Sequence, residues 1–147
     1  MDMPNSHRLR LGRHSEPGRF YLLTACTHGR RPCFAEPKAG RQLVRELRAV
    51  QEQGWVDSLA WVVMPDHFHW LIQLHKQELS MLMKQVKANS SRRLRMPGRV
   101  WQPGFHDRAL RQEDDLLAVA RYIVANPLRA GLVTRLGDYP LWDAVWL

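Results

Sequence analysis

The sequence predicts an α+β sandwich in which a four-stranded antiparallel sheet carries helices on one face, with one further helix added near the C-terminal end. Three observations carry this prediction. Segments with alternating apolar residues interleave with segments of helical period. Two strand-like segments, Ser58 to Met64 and His67 to Leu74, are separated only by Pro65-Asp66, too short a link for a helical crossover, so they pair antiparallel. The order of elements is β-α-β-β-α-β-α, with the helices acting as right-handed crossovers between strands.

Met1 to Gly18 is polar and punctuated by Pro and Gly, and reads as an arm carrying Arg8, Arg10 and Arg13. Phe20 to Thr27 is aromatic, β-branched and small, a first strand closed by His28-Gly29 and the basic pair Arg30-Arg31. Gln42 to Gln51 places Leu43, Val44, Leu47 and Val50 at helical spacing and stops at Gly54. After the antiparallel pair, Gln77 to Arg95 forms a second amphipathic helix. Its Leu79, Leu82, Met83 and Val86 face inward, and Lys84, Lys87, Arg92, Arg93 and Arg95 face mostly outward as a basic stripe. Pro97-Gly98 breaks the chain before a short last strand around Phe105 to Leu110. Asp114-Asp115 then begins a helix with Leu116, Ala120 and Ile123 on one side, running to Pro127. This order matches a ferredoxin-like (RRM-like) sandwich, with the second sheet face left open.

Composition narrows the function. The 147 residues suit one domain, expected to span 1–147 with residues 1–18 as the arm, and the end at Leu147 leaves little for a separate specificity module. With 45% hydrophobic and 24% charged residues, disordered and low-complexity classes are excluded. Cys26 and Cys33 form neither a disulfide framework nor a zinc spacing, which suits a reducing cytoplasm. Apolar runs such as Leu59 to Met64 fall far short of the roughly 20 residues that cross a bilayer, and the N-terminus has no apolar signal core, so no membrane partner is expected. The formal charge of +8 favours phosphate, and hence nucleic acid, as the partner.

Two groups of residues carry chemistry. Along His67 to Leu74, alternation sends Phe68, Trp70, Ile72 and Leu74 beneath the helices and His67, His69, Leu71 and Gln73 to the other face. At about 3.3 Å per residue the two histidines lie roughly 6.5–7 Å apart, within reach of one shared metal ion, although a His-x-His on a half-covered strand is equally two solvent-facing side chains. Tyr122 and Asn126, four residues apart, share one side of the last helix on the flank of its apolar stripe; packing and a helix stop before Pro127 would account for them separately. Together they suit phosphodiester chemistry, because a phenol with a pKa near 10 needs a metal to polarise the phosphate that it attacks. His106 and His75 are candidate proton carriers, and Trp101, Trp142 and Trp146 candidate base-stacking or packing residues.

The run Val62-Val63-Met64-Pro65-Asp66-His67-Phe68-His69 resembles the His-hydrophobic-His signature of single-tyrosine transposases, and Tyr122 to Val133 (YIVANPLRAGLV) resembles their nucleophile helix. The nearest subgroup is the REP-associated tyrosine transposases of the IS200-like kind. The similarity also takes in Trp101 to Arg108 and Asp138-Tyr139-Pro140, and so nearly the whole chain from Phe20 onward. It implies a metal-dependent enzyme that nicks single-stranded DNA at or near a hairpin and transfers the strand. Tyr122 matches the nucleophile that forms a 5′-phosphotyrosine link, and His67, His69 and Asn126 match the ligands of Mg²⁺ or Mn²⁺. It further implies a cytoplasmic, nucleoid-associated protein, monomeric or homodimeric, with single-stranded or hairpin DNA as partner. Asp66 stands where the family commonly has Asn, as a turn cap, a metal ligand's neighbour or an added carboxylate.

DNA contact is expected from Arg8, Arg10, Arg13, Arg30, Arg31, Lys84, Lys87, Arg92, Arg93 and Arg95, with Arg99 beyond them. The competing reading from another class is a domesticated hairpin-binding protein that no longer cuts, for which keeping His67, His69, Tyr122 and Asn126 together has no purpose. A generic RNA-binding domain of this fold is disfavoured by histidines where stacking aromatics would stand.

Overall fold

The structure, a computed structural model, describes residues 15–111 and 113–146; the side chains of residues 113 and 114 and the arm arginines Arg8, Arg10 and Arg13 lie outside what it describes. The elements in chain order are β1 (Phe20–Cys26), α1 (Pro37–Glu52), β2 (Val56–Met64), β3 (His67–Leu74), α2 (Leu79–Leu94), β4 (His106–Leu110), α3 (Glu113–Val124), α4 (Asn126–Arg129) and β5 (Trp142–Ala144), with short 3₁₀ turns between some of them. The strands order as β4-β1-β3-β2-β5 with every neighbouring pair antiparallel. Because β3 lies between β1 and β2 and opposes both, those two strands run the same way and α1 crosses between them. The return from β3 to β4 through α2 crosses β1 in the same manner.

Local chemistry sets the helix ends. Pro37 opens α1 and the Glu36 carboxylate accepts the Lys38 N–H at 3.0 Å, so the helix starts five residues before its apolar periodicity becomes visible. Arg95 at φ 53° ends α2 in the left-handed region, and the Leu79 N–H at its start donates to Ser15 Oγ at 3.0 Å. α1 and α2 bury Leu43, Leu47, Val50, Leu79, Leu82 and Val86 against Phe68, Trp70, Ile72 and Leu74, the face of β3 expected to be covered. Gly40 lets the C-terminal segment approach α1, since a Cβ there would lie 2.4 Å from Leu141 Cδ1.

Two expectations are corrected. The sheet has five strands rather than four: Trp142–Ala144 pairs with Val62, Trp61 and Ala60 along the outer edge of β2. Three residues are too few to show a period, yet they cover an edge that would otherwise offer unpaired backbone groups. Nor is the second face open. Leu116, Val119, Ala120, Ile123 and Val124 of α3 pack on Ala60, Val62, Met64, Leu71 and Leu110. The physical reason is that this face carries enough apolar side chains of its own to require a cover.

Trp101 belongs to the core. It is 5% exposed, its ring lies 5.4 Å from Phe34 and 5.6 Å from Phe68, and its Nε1 donates to the fully buried Ser90 Oγ at 3.0 Å. Trp101→Ala is expected to cost about 3–5 kcal/mol, read as a lower urea midpoint with the slope retained; a loss under about 1 kcal/mol would show that the ring is no core element.

Candidate functional site

The pairing of strands brings the first part of the site together. On the second sheet face Thr24 of β1 lies opposite His69, and Cys26 opposite His67. From the other side Val62 faces His69 and Met64 faces His67, while His106 of β4 lies opposite Thr24. The two imidazoles meet edge to face, with ring centroids 4.9 Å apart and planes at 79°. His67 Nδ1 lies 2.7 Å from Asp66 Oδ1; a carboxylate only accepts, so Nδ1 carries the hydrogen and Nε2 the lone pair. His69 Nδ1 lies 2.7 Å from the buried Thr24 hydroxyl.

Electrostatics keep His69 neutral. Burial, with added repulsion from His67 and Arg129, pulls the His69 imidazole down to about 4. At Asp66 burial acts to raise the carboxyl, but hydrogen bonds from His67 and Arg30 and their charges outweigh it and hold it below its usual value.

The second part of the site lies where α3 meets α4. Ala125 keeps helical dihedrals between them, but Pro127 has no N–H to continue the ladder, so the helix breaks and restarts. Tyr122, on the last turn of α3, is 64% exposed. Arg129 holds it twice: its Nη2 donates to the Tyr122 carbonyl at 2.6 Å, and its Cζ lies 3.9 Å from the centre of the phenol ring. The first bond satisfies a carbonyl left over at a helix end. The positive charge of Arg129 also helps to pull the His69 imidazole down.

Asn126 begins α4, which packs on β2 beside the histidine strand. Its Nδ2 is buried with no hydrogen-bond partner. The two ends of a carboxamide exchange by a half-turn, so the same position can present Oδ1 to a cation. Among the described residues no group of three His, Cys, Asp or Glu side chains could hold a metal ion, so a third protein ligand would come from another residue type. Two imidazoles with free Nε2 atoms and one amide oxygen suit a divalent cation that also keeps water or phosphate oxygens.

The basic residues divide into two sets. Lys84, Arg92, Arg95 and Arg99 are exposed, and Lys84 and Arg99 border a cavity of about 600 Å³ between α2 and the loop through Pro103 and Gly104. Arg92 also bonds its helix neighbour Asn89, and the other basic residues reach partners elsewhere in the chain, Arg30 and Arg93 while themselves exposed. Arg30 bonds Asp66, Arg31 donates to the Pro97 carbonyl at 2.8 Å, and Arg93 pairs at 2.9 Å with Glu46, which is 5% exposed. Lys87 donates to the carbonyls of Gln102 and Gly104, and burial pulls its ammonium down to about 8. His75 bonds Asp57 at 2.9 Å at the far end of β3, and Trp142 donates to the Leu136 carbonyl at 3.2 Å. Sequence inspection did not single out Thr24 or Arg129. The signal for Thr24 is its register opposite His69; that for Arg129 is its place one turn past Asn126, seven residues after Tyr122.

The two histidines stand on the sheet face that α3 covers, and Tyr122 stands exposed on the last turn of that helix. Residues 20–126 match the family described as Transposase IS200 like, and the chain belongs to this IS200-like transposase family. A REP-associated tyrosine transposase of Escherichia coli (strain K12) is 30% identical over 83 residues, 55% of this chain and 50% of its own length. A relative from Haemophilus influenzae is 26% identical over 99 residues, 57% of this chain and 56% of its own. The chain therefore spans about half the length of the curated relatives it matches. Among solved structures, a REP-associated tyrosine transposase bound to a REP hairpin shares the fold, with a TM-score of 0.78 at 24% identity over 88% of this chain and 79% of that one.

Because folding favours neutral His69, the unfolded chain takes up the proton first. The His69 contribution to stability is therefore whole above pH 6.5 and is lost as the pH falls from there towards 4, by on the order of 3 kcal/mol in metal-free protein. Urea titrations across that range are expected to show the loss, and His69→Gln to flatten it.

Proposed function

We propose that this chain is a metal-dependent single-stranded DNA endonuclease and strand transferase that cleaves at or near hairpin DNA through a 5′-phosphotyrosine intermediate. The observation that carries it is the pairing of His67 and His69 on one sheet face, ring centroids 4.9 Å apart, in a chain of the IS200-like transposase family whose exposed Tyr122 is held by Arg129. Tyr122 Oη attacks the scissile phosphorus; the new bond to the phenol oxygen forms as the bond to the 3′ oxygen breaks, and that oxygen leaves as a 3′-hydroxyl once it has a proton. The phosphotyrosine diester keeps the energy of the broken bond, so a 3′-hydroxyl can reverse the step without ATP. His67 and His69 through Nε2, with Asn126 through its amide oxygen, would hold the cation. When bound, Mg²⁺ or Mn²⁺ supplies Lewis-acid polarisation of the phosphate oxygens. Arg129 offers a planar fork of donors to the same phosphate while its stacking keeps the phenol beside it.

DNA would lie across the exposed cations Lys84, Arg92, Arg95 and Arg99, with Arg8, Arg10 and Arg13 of the arm beyond them. Arg30, Arg31, Lys87 and Arg93 contribute positive potential while each commits at least one donor within the chain. Support for a hairpin substrate is the likeness in sequence and fold to REP-associated transposases, one of them solved with a REP hairpin.

A labelled oligonucleotide carrying a hairpin and flanking single strand is expected to become covalently attached to the protein with Mg²⁺ or Mn²⁺ and not with excess EDTA. Tyr122→Phe is expected to abolish the adduct; an undiminished adduct overturns Tyr122 as nucleophile. Tight hairpin binding with no adduct under any divalent cation would instead establish a silent binding protein. Arg129→Ala is expected to slow adduct formation about 100-fold in single-turnover measurements. Lys84→Ala is expected to weaken hairpin binding and reduce the slope of log affinity against log salt by about 1.

A further inference from the structure

The turn that leads into His67 is held at Asp66 by its carbonyl and by both carboxylate oxygens, more than a simple strand reversal needs. Thr27, fully buried, donates its backbone N–H to the Asp66 carbonyl at 2.9 Å, and its hydroxyl, with a single hydrogen, lies 2.8 Å from the Arg31 carbonyl and 3.1 Å from that of Asp66. Arg30 then donates from Nε to Asp66 Oδ2 at 2.9 Å, and the other carboxylate oxygen takes the Nδ1–H of His67 at 2.7 Å. The main chain at Arg30 holds φ at 54°, directly after Gly29 at φ 62°. Left-handed backbone is unfavourable for a residue with a Cβ, so the segment that delivers this guanidinium to Asp66 is held there by its surroundings. Both oxygens of the carboxylate are thereby committed, one to a cation and one to an imidazole.

We propose that Asp66 is a positioning residue: braced by Arg30, its carboxylate keeps the hydrogen of the His67 imidazole on Nδ1, so that Nε2 is the atom His67 presents to a divalent cation. Arg30 accordingly acts through Asp66 and not as a phosphate contact. An imidazole whose outer nitrogen donates to a carboxylate is fixed in both tautomer and ring orientation and becomes a more basic ligand, and loss of such a partner costs about 10–100-fold in metal affinity. An Asn at this position, the residue common in the family, can also accept from Nδ1–H, but it brings no charge to the imidazole and no ion pair to Arg30. The metal half of this inference rests on His67 being a ligand, as proposed above; the tautomer half does not.

The test uses the full chain. Long-range ¹H–¹⁵N spectra of metal-free protein at pH 8 are expected to show His67 as the Nδ1–H tautomer, to keep it in Asp66→Asn, and to show a shift towards Nε2–H in Asp66→Ala. An Nε2–H tautomer in the unaltered chain, or no change in Asp66→Ala, overturns the proposal. Mn²⁺ binding followed by electron paramagnetic resonance without DNA is expected to weaken about 10–100-fold in Asp66→Ala and less in Asp66→Asn. Equal affinity in all three proteins, with His67→Ala much weaker, overturns the positioning role while leaving the ligand assignment standing. If His67→Ala binds Mn²⁺ as well as the unaltered chain, the ligand assignment fails, and the tautomer result still decides what Asp66 does. Arg30→Gln is expected to weaken Mn²⁺ several-fold; weaker hairpin binding with Mn²⁺ affinity untouched would make Arg30 a phosphate contact and overturn its bracing role.

Discussion

The register of β3 between β1 and β2 is the constraint on which the rest of the molecule depends. Phe68, Trp70, Ile72 and Leu74 are all fully buried under α1 and α2. At about 1.5–3 kcal/mol for each large apolar side chain taken from water, they outweigh any preference of the histidines between them. A slip of one residue would exchange the faces, pushing His67 and His69 into the core and the aromatics outward. The histidines therefore share a face because their neighbours are hydrophobic. Their partners follow from the same register, which places Thr24 opposite His69 and Cys26 opposite His67.

The second face shows how an apolar surface and a polar site coexist on one sheet. α3 covers Leu71, Val62 and Met64, and the strand end at His67 and His69 is where Asp66, Thr24 and Arg129 act on the imidazoles. The break at Pro127 folds α4 back so that Arg129 reaches the Tyr122 carbonyl and ring. Without that break the helix would continue, and residues 122 and 129, about two turns apart, would be separated along its axis. Arg129 and Arg30 bring positive charge and Asp66 a negative one, while burial keeps His69 uncharged, so the polarity of the site comes from groups around the imidazoles.

Much of the fold was legible because its strands and helices are long enough to show a period. Phe20 to Thr27, His67 to Leu74 and Gln77 to Arg95 lie within a residue or two of β1, β3 and α2. β5 was not, because three residues have no period and pair only once Leu141 has docked against Gly40. Helical spacing places Lys87 and Arg93 on the outward side of α2, where Arg93 is exposed, but says nothing of what a long side chain reaches. Lys87 reaches the loop carbonyls of Gln102 and Gly104, and Arg93 reaches Glu46 on α1.

The sequence by itself determined the alternation that puts His67 and His69 on one side of a strand, the four-residue spacing of Tyr122 and Asn126, and a surplus of positive charge suited to phosphate. These are local or additive properties, carried by neighbouring residues or by simple sums. Only the tertiary structure decided that α3 closes the second face, that Arg129 stacks on the Tyr122 ring, and that Asp66 is held between Arg30 and His67. Each of those depends on groups far apart in the chain or on a helix that turns back, and such contacts exist only when burial of the core has already fixed where the backbone runs.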